Sequence, residues 1–403
     1  MNPRQANVAL LMLALSAFAI GTTEFISVGL LPLIAEDLHI SVATSGLTVT
    51  LYALGVTVGA PVLTSLTARI PRKTLLIAVM LTFIIGNGLA AVASSIGVLL
   101  TARVISAFAH GVFMSIGSTI AADLVPENRR ASAISIMFSG LTVATVTGVP
   151  IGTYMGQQWG WRTAFIAIVI VGVISLLAHW ALIPSNLRRG QAARLGEQLK
   201  LVSRGRLPLA FAITALGYGG TFVVFTYLSP LLQDVSGFKE GTTALILLLY
   251  GVAIAIGNII GGKAANRKPV HALLIMFILQ AIVLLMFSFT APYQALALVT
   301  VFMLGLLAFM NVPGLQVYVV ILAERYAPQA KDFASAVNIA AFNAGIAVGA
   351  YTGGLVAEHL GLIHTPWIGA VMVFGAVLLT AWMRSLEMRD SRSTGKLHPA
   401  KVQ

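Results

Sequence analysis

Twelve stretches of the chain stay apolar for roughly 20 residues or more, the length a helix needs to cross ~30 Å of hydrocarbon. Lipid offers no partner for a bare N–H or C=O, so stretches of this kind must be helices, and soluble folds are largely excluded. We place them at about 7–34, 44–68, 74–94, 97–122, 131–155, 162–183, 208–232, 242–265, 270–290, 295–322, 332–357 and 364–385, numbered spans one to twelve. With 58% hydrophobic and 9% charged residues and a mean hydropathy of +0.92, the chain has too little charge to cover a water-soluble surface. It has no cysteine, which removes disulfides, thiolate metal sites and cysteine nucleophiles. The first apolar stretch lacks a small-residue cleavage site and more spans follow it, so it is expected to be a retained helix.

The positions of Lys and Arg test the count. If the N-terminus is cytoplasmic, 22 of the 25 basic residues fall on the cytoplasmic side; only Arg162 and Lys239 fall opposite, and Arg103 lies inside span four. This follows the positive-inside rule, puts both termini in the cytoplasm, and explains the net charge of +12 without nucleic acid.

The two halves of the chain repeat each other. Pro32 pairs with Pro230, Leu51-Tyr52 with Leu249-Tyr250, Gly59 with Gly257 and Arg69 with Arg267; VPENRRASA from Val125 pairs with APQAKDFASA from Ala327. The expected fold is an all-α membrane protein of two pseudo-symmetric six-helix bundles. Residues 1–183 form the first bundle, 184–207 a cytoplasmic linker, 208–385 the second bundle and 386–403 a cytoplasmic tail. Transporters of this layout bind substrate near the bilayer midplane, between halves that rock against one another.

Span five carries Gly140, Gly148, Gly152 and Gly156 around Pro150, and span eleven carries Gly345, Gly349 and Gly353. Small residues at this spacing form a flat face for close helix approach, and proline loosens a helix by removing a donor. The stripe serves either plain packing or a rocking contact between the halves; its presence in two symmetry-related spans favours the second. Asn311-Val312-Pro313-Gly314 predicts a break in span ten, which would line a cavity.

With these residues in view, the chain resembles the major facilitator superfamily, in particular its twelve-span drug:proton antiporters and, among them, the arabinose-efflux-like bacterial inner-membrane exporters. The loop Thr64-Ser65-Leu66-Thr67-Ala68-Arg69-Ile70-Pro71-Arg72-Lys73 matches the family's basic loop after span two, with Ala68 where the family has an aspartate. Arg69, Arg72 and the second-half Arg267 are the gating residues this resemblance implies. Arg103 with His110-Gly111 resembles the buried-arginine motif, Gly148-Val149-Pro150-Ile151-Gly152 the antiporter motif, Gly160-Trp161-Arg162 another exporter feature, and Thr22-Thr23-Glu24-Phe25 the first-helix signature.

Of 13 acidic residues only Glu24 lies deep in a span. A carboxylate at that depth costs several kcal/mol unless it is partnered, neutralised or functional. From the rise per residue, Glu24 lies ~15 Å and Arg103 ~10 Å from the outer ends of their spans, so contact is possible, and His110 lies two turns deeper than Arg103. Burial favours a neutral carboxyl and a nearby guanidinium an ionised one; a group between these influences can take up and release a proton as access switches sides. Glu24 is therefore read as a proton-coupling site with Arg103 and His110, the alternatives being a fixed pair with Arg103 or a ligand contact. By symmetry Glu24 matches Phe222 and Arg103 matches Gly305, so the second half carries no charge there. Its Tyr218, Phe222, Phe225, Phe309, Asn311, Asn338 and Asn343 are the candidate substrate-cavity residues.

No HExxH, phosphate-cradling loop or paired membrane acid appears, so no enzyme activity, metal or cofactor is expected, and the driving force is a gradient. The reading is a monomeric, proton-coupled exporter of small drug-like or sugar-like molecules in the bacterial inner membrane; its alternative is proton-coupled uptake of a small metabolite.

Overall fold

The computed structural model describes residues 3–67, 69–126, 130–184, 195–265 and 268–395. Twelve of its helices are long and apolar enough to cross a membrane. Span one is Pro3–Asp37, span two Val42–Thr67, span three Arg72–Ala91, span four Ile96–Asp123 and span six Arg162–Leu182. In the second half, span eight is Glu240–Ala265, span nine Pro269–Thr290, span eleven Lys331–His359 and span twelve Thr365–Gly395.

The other three spans are interrupted, each beside a proline. Span five runs as Arg130–Val143, a π-helical turn at Ala144–Gly148, and Val149–Trp159, with Pro150 just past the wide turn. Span ten breaks between Gln294–Ala308 and Val312–Tyr326, where Pro313 begins the second piece. Span seven was expected to be continuous, but it stops at Phe225 and resumes as Leu228–Pro230 and a π turn at Leu231–Val235. Pro230 has no N–H to give the Thr226 carbonyl one turn back, which weakens the helix at that point, although Pro32 and Pro61 are accommodated inside the continuous spans one and two.

Span twelve continues as helix beyond residue 385, to Gly395, into the segment expected as the tail. Polar contacts hold the extension: the Tyr318 hydroxyl donates to Glu387 at 2.9 Å, and Asp390 takes Arg206 at 3.0 Å and Arg325 at 3.2 Å. Within the linker, Leu195–Val202 is a short helix.

Buried apolar residues of spans one, three, four, five and six form one core, and those of the second half form another that also takes in Phe25, Val28, Val49, Ala53 and Val149. The halves meet where span two packs on span eleven, span five on span eight, and span one on Leu228–Pro230. The even number of spans brings the start of span one and the end of span twelve to one face. At the opposite face, the Tyr227 hydroxyl donates to the Ala350 carbonyl and fills the space beside Gly46 of span two, while Gln157 Nε2 donates to the Glu240 carbonyl at 2.8 Å.

The glycine stripes do not join the halves, contrary to the rocking contact expected of them. A Cβ on Gly140, Gly148 or Gly152 would meet Ala14, Thr22 or Ile26 of span one. One on Gly345 or Gly349 would meet the carbonyls of Ala215 or Gly219 in span seven. Both stripes are seams inside a half. Close approaches across the halves are made instead by Gly46 of span two against Tyr227 and by Gly251 of span eight, whose hydrogen faces the Thr145 carbonyl and Val146 in the π turn.

Candidate functional site

Arg103 is 1% exposed, and its position settles what surrounds it. Its Nη1 donates to the Thr23 carbonyl at 2.6 Å, Nη2 to the Glu24 carbonyl at 3.1 Å, and Nε to the Thr48 carbonyl at 3.2 Å. The guanidinium carbon lies 4.1 Å from the centre of the Tyr52 ring, a cation–π distance. One side chain of span four thus ties down spans one and two, and its charge is met by backbone dipoles and a ring face.

The Glu24 side chain stands apart from this arrangement. It is partly exposed, and among the described residues no hydrogen bond or ion pair reaches its carboxylate. Arg103, Tyr52 and Tyr218 lie within electrostatic range of it. The sequence left open a fixed ion pair with Arg103; the structure has the two residues joined through the Glu24 backbone instead.

Tyr52, which the sequence reading used only to align the halves, connects the other candidates. Its ring carries Arg103, and its hydroxyl lies 3.2 Å from Nδ1 of the buried His110. Thr23 adds a brace from its side chain, which donates to Asn87 Oδ1 of span three at 3.0 Å. The one sequence signal for Tyr52 was its pairing with Tyr250, because an aromatic at helical spacing otherwise reads as packing.

Next to Glu24 in sequence, Phe25 reaches across to the second half. Its ring centre is 6.0 Å from Phe222, 6.1 Å from Phe225 and 6.0 Å from Phe309. Tyr218 packs edge-on against Phe309 at 5.3 Å and Phe342 at 4.9 Å, and Phe225 stacks on Tyr250 at 5.0 Å. Tyr218, Phe222, Phe225 and Phe309 are therefore brought together, with Phe25, Tyr250 and Phe342 as members that sequence reasoning missed.

The candidate amides lie elsewhere in the second half. Asn338 accepts from Thr214 and donates to Gln316, each at 2.8 Å, and Gln316 donates to Ser335. Asn311, at the break in span ten, donates to Gln280 at 3.0 Å, and Gln280 in turn donates to Thr221 and to the Gly217 carbonyl. Asn343 donates to the Ile339 carbonyl, and the buried Oδ1 atoms of both Asn343 and Asn311 have no protein partner among the described residues. Pro150 is buried in span five, Arg69 is exposed at the face of the termini, Arg72 is half-buried, and Arg267 lies outside the described residues.

Two six-helix halves meeting at a shared aromatic cluster are the layout of secondary transporters. The family model described as Major Facilitator Superfamily matches residues 13–325. The chain belongs to that superfamily: it is a multi-pass membrane transporter of small molecules and not an enzyme. It is 70% identical over 382 residues to the Bacillus subtilis protein named uncharacterized MFS-type transporter YtbD, covering 95% of this chain and 96% of that one. It is 38% identical over 386 residues to the Escherichia coli inner membrane transport protein YdhP, covering 96% and 98%. Its fold is similar to the crystal structure of a bacterial homologue of the human lysosomal transporter Spinster (TM-score 0.68, 15% identity, 100% of both chains). It is also similar to that of the human organic anion transporter MFSD10 (TM-score 0.70, 16% identity, 94% of this chain and 100% of that one).

Proposed function

We propose that the protein is a proton-coupled exporter of small organic molecules, with Glu24 as the group that takes up and releases the proton. The observation that carries this reading is the unpartnered Glu24 carboxylate, the one acid deep in a span among the described residues. A carboxylate locked to an arginine would have to break that pair at each protonation; Glu24 breaks no protein contact when it changes state. Arg103 sets the local potential from a fixed place, held by three carbonyls and the Tyr52 ring. Tyr52 and His110 extend the polar set toward the face of the termini.

The excess of Lys and Arg on one side supports cytoplasmic termini in the bacterial inner membrane. In that orientation the face closed by Tyr227 and by the bond from Gln157 looks outward. A proton arriving from outside and a substrate arriving from the cytoplasm then use the same rocking of the halves in opposite senses. The aromatic cluster at the junction is the substrate contact.

Transport into liposomes under an imposed pH gradient tests this reading, with ethidium, chloramphenicol, a nucleoside and arabinose as probes. The wild type drives at least one probe against its gradient, and Glu24→Gln drives none. Wild-type accumulation by Glu24→Gln overturns the assignment.

A further inference from the structure

A buried oxygen that no protein group satisfies weakens the fold, so its presence needs a physical reason. Asn343 of span eleven holds such an atom at the junction of the halves. We propose that the Asn343 amide oxygen determines specificity by accepting a hydrogen bond from the transported molecule, an uncharged compound with an amide N–H or equivalent donor on a flat apolar body. This rests on the reading above that substrate sits at the aromatic junction, and goes beyond it by naming the recognised group and the residue that reads it.

The neighbours of Asn343 fix the way it faces. One turn back, the Ala340 carbonyl accepts from Thr57 of span two at 3.4 Å. Gly354 lies three turns on and points nearly the same way as Asn343, and a Cβ there would be 3.6 Å from the Ala43 carbonyl of span two. On the other flank, the Phe342 ring packs edge-on against Tyr218 at 4.9 Å, and a Cβ on Gly345 would meet Ala215 of span seven. Asn343 therefore stands between the seam with the first half and the aromatic cluster. It is 4% exposed, and its Nδ2 is spent on the Ile339 carbonyl of its own helix at 3.0 Å. Its Oδ1 has no protein partner among the described residues.

Comparable buried atoms lie away from this junction. Asn311 Oδ1 is also unpaired, but its side chain is bonded to Gln280 of span nine, which is itself tied to Thr221 and Gly217 of span seven. That group sits inside the second bundle. Ser175 Oγ and His179 Nδ1 sit inside the first, where His179 Nε2 meets Ser16 of span one at 2.7 Å.

The open atom of Asn343 only accepts, so its missing partner is a donor. The Tyr218 hydroxyl, on the ring that Phe342 packs against, takes no hydrogen bond among the described residues either, and it can donate to a carbonyl. An amide supplies both complements, N–H for Asn343 and C=O for Tyr218, and neither contact calls for a charge on the ligand. The rings of Phe222, Phe309 and Phe342 around Tyr218 suit a flat apolar body. A polyol fits badly. Asn338 and Gln316 are bound to each other and to Thr214 and Ser335, so the extra hydroxyls of a sugar would be buried unpaired or would break those bonds.

The test measures binding to purified protein of three probes: chloramphenicol, which joins an amide N–H to a nitrophenyl ring; arabinose; and tetraphenylphosphonium, which has no N–H or O–H. The wild type is expected to bind chloramphenicol more tightly than arabinose. Asn343→Leu, close in volume, should bind chloramphenicol about tenfold more weakly, a loss of ~1.4 kcal/mol, and tetraphenylphosphonium as the wild type does. Its thermal midpoint should be unchanged or higher, because the substitution removes an unpaired buried oxygen. Tyr218→Phe, which keeps the ring, should weaken chloramphenicol at least threefold and spare tetraphenylphosphonium. A fallen midpoint or an unfolded Asn343→Leu, or equal loss of every probe, would mark Asn343 as a structural brace and overturn the proposal. So would chloramphenicol that the wild type does not bind, or that it binds equally with Asn343→Leu. Flux in liposomes under a pH gradient keeps the coupling role separate. If Glu24→Gln abolishes chloramphenicol flux while Asn343→Leu binds like the wild type, only the Asn343 contact falls. If binding depends on Asn343 while Glu24→Gln retains full gradient-driven flux, the contact stands and the coupling role falls.

Discussion

Arg103 meets Glu24 at the backbone, donating to its carbonyl at 3.1 Å, while the Glu24 carboxylate takes no hydrogen bond among the described residues. The arginine is thus a clamp on spans one and two, and the acid is free of it. Removing one member of a buried ion pair costs about 3–5 kcal/mol, because the survivor is stranded. Here Glu24→Gln strands nothing and is expected to leave the thermal midpoint in detergent unchanged or slightly higher. Arg103→Ala uncovers three carbonyls and should cost about 3 kcal/mol or more, read as a marked fall in the same midpoint. Equal losses in the two variants would indicate a true pair.

Tyr52 separates two roles that one substitution can split. Tyr52→Phe keeps the ring under Arg103 and removes only the hydroxyl beside His110, so it should cost about 1 kcal/mol and leave the arginine clamp in place. Tyr52→Ala removes both and opens a cavity, at about 3–5 kcal/mol. Chemical denaturation of the two variants in mild detergent distinguishes them; similar losses would mean that the ring contributes little.

The glycine seams give a third expectation. A Cβ on Gly349 would sit 2.1 Å from the Gly219 carbonyl, so Gly349→Ala must push span eleven off span seven. Gly88 has nothing within 4 Å of the same position, and Gly88→Ala is expected to be tolerated or mildly stabilising. The yield of monodisperse protein after extraction compares them. Gly251→Ala acts across the halves, where its Cβ would lie 2.6 Å from the Thr145 carbonyl, and should lower transport rate more than yield.

At the break in span ten, Asn311→Ala leaves the Gln280 carbonyl oxygen unpaired in the core and should cost about 1–3 kcal/mol. Asn338→Ala, in the neighbouring network, should behave alike. Thermal melting checks both, and a variant that melts like the wild type would mean its amide is not a brace.

Much of this architecture could be read from the residues, and the parts that could not have physical causes. Apolar length counts the spans because lipid leaves the backbone no alternative, and Pro150 and Pro313 mark interruptions because proline has no donor to give. Pro230 coincides with an interruption as well, yet its mate Pro32 and Pro61 sit inside continuous helices, so a proline alone does not say where a span breaks. Glycine spacing says that a helix has a close neighbour and is silent on which; span one for span five, and span seven for span eleven, emerge only from the packing. Charge sign suggested that Arg103 and Glu24 pair, but backbone carbonyls carry no sequence mark, and three of them took the guanidinium. Of the aromatic members, Phe222 followed from its symmetry with Glu24, while Tyr218, Phe225 and Phe309 could be named only as aromatics of the second half. Asn311 and Asn338 could be named as buried amides, yet whether such a group faces a ligand or another amide depends on side chains far away in sequence.

Proton movement driven by substrate is the most direct test of Glu24 as coupling group. In liposomes with an internal pH dye, a gradient of whichever probe the wild type transports should shift internal pH by moving protons in the opposite direction. The same gradient should produce no shift with Glu24→Gln, while Tyr52→Phe keeps a measurable one. A wild-type pH shift in Glu24→Gln liposomes would contradict the account, because the proton would then travel by another group.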